Sequence, residues 1–180
     1  MTERPRSPPL QRIHIVQGGQ EVSSNPQICL TTVLGSCVAA CLWDPETGVG
    51  GMNHFLLPEA PHGAAEDRRY GVQAMELLIN GLLDKGASRS RLRAKAFGAA
   101  RMTNGLVDVG ARNADFIRRF LRDEGLPLEA ASLGGDQARR LQFWPAAGRV
   151  RQHLTPKTVV PLEAAAYAPA LPGAGEVELF

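Results

Sequence analysis

Thr31–Phe55 reads TTVLGSCVAACLWDPETGVGGMNHF, and the fold follows from how this stretch is parsed. Two short apolar runs, Ile28 to Leu34 and Val38 to Trp43, are partly β-branched and bounded by turn residues, which favours strands over helices. Between them Gly35-Ser36-Cys37 makes a sharp turn, where glycine admits backbone conformations and close approaches that other residues refuse. Asp44-Pro45-Glu46-Thr47-Gly48 makes a second turn, with proline presetting its φ and glycine closing it. The chain then returns antiparallel from Val49 to Leu57 and stops at Pro58. A short connection pairs strands side by side, so His54 comes back towards the level of Cys37.

That pair carries chemistry. A thiol is a poor nucleophile until it loses its proton, and a nearby imidazole promotes the loss and later protonates a leaving group. Cys37 and His54 are therefore the candidate nucleophile and base. Amides around Gly35, Ser36 and Cys37 are candidate donors to a developing oxyanion, because glycine-containing turns often leave N–H groups unpaired. The plainer alternative makes Cys37 a small buried hydrophobe and His54 a hydrogen-bonded structural residue. Cys29 and Cys41, inside apolar runs, take that plainer reading.

Working outward, Arg12 to Gln17 alternates weakly and reads as a first strand ended by Gly18-Gly19, while residues 1–11 read as a flexible arm. Glu59 to Arg69 reads as a surface loop. His62 lies in it, without a carboxylate at ligand spacing, so no metal site is expected. Tyr70 to Lys85 places Val72, Met75, Leu78, Ile79, Leu82 and Leu83 on one face of a helix, with Gly86 as its stop. Arg91 to Phe97 alternates as a half-exposed strand. Ala111 to Glu124 is a second amphipathic helix with a basic outer face. Ala130 to Leu133, Arg139 to Phe143 and Arg149 to Leu154 read as strands, the last two a hairpin. Residues 156–180, broken by prolines and glycines, read as a partly ordered tail.

The order of elements predicts an α+β domain, with antiparallel or mixed strands and both helices on one side. A chain of 180 residues suits one core. Three cysteines form no even set and no CxxC pair, so neither a disulfide framework nor a zinc site is expected, and a reducing, cytoplasmic setting fits. No apolar run is long enough to span a bilayer. The net charge of +2 argues against nucleic acid as the main partner.

LGSCVAACLWDP, GGMNHFLLP, RYGVQAMELLI, GASRSRLRAKAFG and VGARNADF, in that order, resemble the CheD family of chemoreceptor glutamine deamidases. The resemblance implies a β-sandwich-like core with a helical layer and a deamidase domain over residues 12–155. It implies Cys37 as nucleophile, His54 as base and acid, and Thr31 as the residue that holds the histidine. The implied reaction hydrolyses glutamine side chains on the cytoplasmic helices of chemoreceptors to glutamate, releasing ammonia. No cofactor is implied, and a CheC-type phosphatase is an implied partner. The alternative is a non-catalytic adaptor that binds receptor or CheC. Two positions depart from the family pattern: Val33 stands where glycine is expected, and Ala99 where FGGA is more familiar than FGAA. The second narrows a close backbone approach.

Overall fold

The computed structural model describes residues 10–57, 64–102, 108–155 and 177–180. In chain order the elements are β1 (Gln11–His14), β2 (Gln20–Ser23), β3 (Ile28–Leu34), β4 (Val38–Asp44), β5 (Val49–Phe55), α1 (Ala64–Asp84), β6 (Arg93–Gly98), α2 (Val109–Asp123), β7 (Leu128–Leu133), β8 (Arg139–Trp144), β9 (Arg149–Leu154) and β10 (Val177–Leu179). They form two five-stranded sheets, ordered β1-β3-β8-β9-β10 and β2-β5-β4-β6-β7. Pairing is antiparallel except for β1 with β3 and β6 with β7, so both sheets are mixed.

β4 lies at the centre and is buried along its whole length. Side chains alternate across a strand, so Val38, Ala40 and Leu42 face one way, and Ala39, Cys41 and Trp43 the other. The first set packs beneath both helices with Met75, Leu78, Leu82 and Ile117. The second packs against Leu30, Leu34, Leu141 and Phe143 of the facing sheet. The result is three layers: helices, sheet, sheet. The expected sandwich with both helices on one side is what forms, and a continuous apolar run is what a doubly covered strand requires.

Three expectations need correction. Residues 64–69, read as loop, are already the first turns of α1; that polar stretch offers no apolar period to detect. His62 lies outside the described residues. The strand read as half-exposed is buried from Ala94 to Gly98, Lys95 included. The Lys95 ammonium is tied off internally, donating to the Gly148 carbonyl at 2.9 Å and standing 4.9 Å from the centre of the Trp43 ring. Finally, Gln20–Ser23 is a strand the sequence reading lacked. The end of the expected tail also joins the fold: β10 pairs with β9, and the Phe180 ring meets Phe97 at 5.5 Å.

Candidate active site

The cysteine turn is built by its neighbours. Ala99 N donates to the Cys37 carbonyl at 2.7 Å, and Ala100 N to the Gly35 carbonyl at 2.8 Å. From α2, Asn113 Nδ2 donates to the Ser36 carbonyl at 3.0 Å, while its Oδ1 accepts from Leu57 N at 2.9 Å. One amide side chain thus clips the Cys37 turn to the segment after β5. Gly98 has φ +115°, and a Cβ there would stand 2.1 Å from the Cys37 carbonyl oxygen. Ala99 follows in the left-handed region at φ +59°, unlike every other non-glycine residue described. The departure from the family's second glycine therefore falls where an L-residue costs roughly 1–2 kcal/mol.

In the β4–β5 pair His54 stands opposite Ala39. Cys37 shares the inter-sheet face with Ala39. Cys37 and His54 are thus diagonal neighbours, a relation in which antiparallel Cα atoms lie about 7–8 Å apart and long side chains still meet. Both are nearly closed off, at 8% and 7% exposure.

The imidazole is fixed from one side. Its Nδ1 lies 2.9 Å from Thr32 Oγ1 and 3.4 Å from the Ile15 carbonyl, and Thr32 Oγ1 donates its own proton to that carbonyl at 2.8 Å. A hydroxyl has one proton and a carbonyl none to give. Nδ1 must therefore carry the hydrogen and donate it. Nε2 then holds the free lone pair, buried and without a hydrogen bond among the described residues. It also makes none to the Cys37 sulfur at rest.

The resemblance implies that Thr31 holds the histidine; in the structure the hydroxyl that meets His54 Nδ1 is that of Thr32. Thr31 Oγ1 donates to the Ile13 carbonyl at 3.4 Å and lies 3.5 Å from His14 Nδ1, away from His54. The reason is parity. On β3, Leu30, Thr32 and Leu34 face the other sheet, and Thr31 points outward with Cys29 and Val33. Counting by twos from Leu30 would have found Thr32 in the sequence. The Ile15 carbonyl and Asn113 carry no such signal, since only tertiary packing brings them in.

Burial pushes the Cys37 thiol above its ordinary value, partly offset by backbone hydrogen bonds from Gly35 and Cys37 to the sulfur. Burial pushes the His54 imidazole down, with the Ile15 carbonyl working against it and the His14 charge adding to it. The resting pair is thus neutral thiol beside neutral imidazole. Cys29 and Cys41 are fully buried, and burial drives Cys41 far above the thiol range. Among the described residues no three His, Cys, Asp or Glu side chains are grouped to hold a metal ion, and no helix is long and apolar enough to cross a membrane.

Residues 56–153 match the family described as CheD chemotactic sensory transduction. A probable chemoreceptor glutamine deamidase CheD of Caulobacter sp. (strain K31) is 55% identical over 97% of this chain and 95% of its own. The chain belongs to the CheD family. The CheD relatives of the same name from Caulobacter vibrioides (strain NA1000 / CB15N) and Rhizobium leguminosarum bv. trifolii (strain WSM2304) are 52% and 51% identical, each over 94% of this chain and 93% and 96% of theirs. The CheD family match begins just past His54, whereas these alignments span nearly the whole chain.

Proposed function

We infer that this protein is a chemoreceptor glutamine deamidase in which Cys37 is the nucleophile and His54 the base. What supports it best is the histidine's fixed tautomer: Nδ1–H is spent on Thr32, so Nε2 is free to take the thiol proton. Catalytic hydrogen bonds are often loose without substrate, and sulfur and Nε2 close to contact when a glutamine enters. The thiolate attacks the amide carbon, and the turn amides of Gly35, Ser36 and Cys37 stabilise the oxyanion. The backbone at Gly35 and Cys37 already favours charge on the sulfur. Once the sulfur is acylated it carries no charge, and these donors turn to the new oxygen. His54 gives its proton to the departing nitrogen, releasing ammonia. Water, deprotonated by the same Nε2, then cleaves the thioester to glutamate and restores the thiol.

The substrate in this reading is a glutamine on the cytoplasmic helices of a chemoreceptor, encountered in a reducing cytoplasm that keeps the thiol free. A CheC-type phosphatase remains the second partner the resemblance implies. The deciding experiment is mass spectrometry of receptor cytoplasmic fragments incubated with enzyme. Each deamidation adds about one mass unit, and a thiol-dependent reaction disappears in Cys37→Ala and nearly so in Cys37→Ser. Unmodified fragments with wild type, or equal modification by Cys37→Ala, would overturn the reading.

A further inference from the structure

Two exposed apolar side chains stand beside the reacting pair. Met102 is 42% exposed and lies across Gly35, its Cγ 3.1 Å from where a Cβ on that glycine would stand. Val16 is 63% exposed and follows Ile15, whose carbonyl accepts from His54. Its Cγ2 is 3.6 Å from where a Cβ on Gly19 would stand. Gly18 and Gly19 exchange backbone hydrogen bonds with His54 at 2.7 and 3.0 Å. Neither Met102 nor Val16 belongs to either core.

One apolar residue thus sits on the sulfur side of the site and one on the imidazole side. Apolar area left in water at these two places is recovered only when something covers it. An entering glutamine brings its own covering, because on a helix its neighbours three and four residues away share its face. Methionine, flexible and polarizable, suits contact with more than one such neighbour.

We propose that Met102 and Val16 grip apolar residues one helical turn from the target glutamine and so set which glutamines this enzyme takes. The inference rests on the deamidase reading. Its test uses nearly isosteric polar swaps, which change affinity for an apolar partner without a new charge near the thiol. Met102→Gln, Val16→Thr, the double variant and Met102→Leu are assayed on a receptor cytoplasmic fragment by ammonia release, with iodoacetamide alkylation of Cys37 measured in parallel. The double variant should raise KM about tenfold with kcat within about twofold of wild type. Alkylation should be unchanged, and Met102→Leu should match wild type. Unchanged KM in the double variant overturns the proposal. So does a matching fall in alkylation, which would make Met102 a mere support of the Gly35 turn. An inactive wild type overturns the deamidase reading itself and this inference with it.

Discussion

At the scale of single residues, the hydroxyl of Thr32 decides how His54 behaves. Thr32→Val removes the nearer acceptor for Nδ1–H and takes the hydroxyl donor from the Ile15 carbonyl, so it should cost about 1–3 kcal/mol of stability. It should also lower deamidation about a hundredfold, because an unfixed ring is a poor base. Thr31→Val should leave both within experimental error, and Thr32→Ser should restore most of the activity. Thermal melts and ammonia release on the two valine variants separate the residue the resemblance names from the one the geometry names. Protonation gives a second expectation. As the proposed base His54 has to be neutral, and burial lowers its pKa from 6.5, so the acid limb of kcat/KM should lie below pH 6.5. The Cys37 thiol is raised from 9.0, so its alkylation should still be climbing at pH 9, and more slowly in His54→Ala. A limb above pH 6.5 would contradict the burial described.

At the scale of elements, the turn carrying Cys37 is shaped by the end of β6 and the start of α2. Gly98→Ala drives a methyl into the Cys37 carbonyl at a φ that L-residues avoid. It should cost more than about 3 kcal/mol and abolish activity, as read by denaturant unfolding and ammonia release. Ala99→Gly should be nearly silent, within about 1 kcal/mol, since relief at φ +59° is offset by a lost buried methyl. Asn113→Ala should cost about 2–3 kcal/mol, with activity falling further than stability, because Ser36 loses its anchor. Much of this level was legible beforehand. The strands around the cysteine turn, the returning strand with His54 and the stripes of α1 and α2 follow from period and turn residues. Residues 64–69 and Gln20–Ser23 were not legible, because neither stretch carries an apolar rhythm. Lys95 misled for the opposite reason: its alternation with Ala94 and Ala96 looks like a wet face, and only Gly148 and Trp43 show how an ammonium is accommodated inside. That Thr32 rather than Thr31 faces His54 was within reach of strand parity on β3.

At the scale of the whole molecule, two buried groups tie stability to pH. The Asp44 carboxylate, fully covered, accepts from Arg91 at 2.7 Å and from Ser88 N at 2.9 Å, binding the end of β4 to the turn before β6. The Arg91 guanidinium holds its carboxyl well below the usual carboxylate range. A depressed folded pKa stabilises above the unfolded value and is lost as pH falls. Melting temperature should therefore drop steeply below about pH 4, and Asp44→Asn should melt lower at neutral pH yet lose that steep acid slope. His54, also depressed, adds an earlier decline starting below pH 6.5, absent in His54→Ala. The placement of Cys37 and His54 on one sheet and Thr32 on the other has a last consequence. If Cys37 and His54 react as proposed, neither half of the sandwich would be an enzyme by itself. A nascent chain with every strand already formed would still have an untethered imidazole and should stay chemically quiet towards bystander glutamines until the halves clasp. Breathing between the layers, with no strand lost, should be enough to disarm it again.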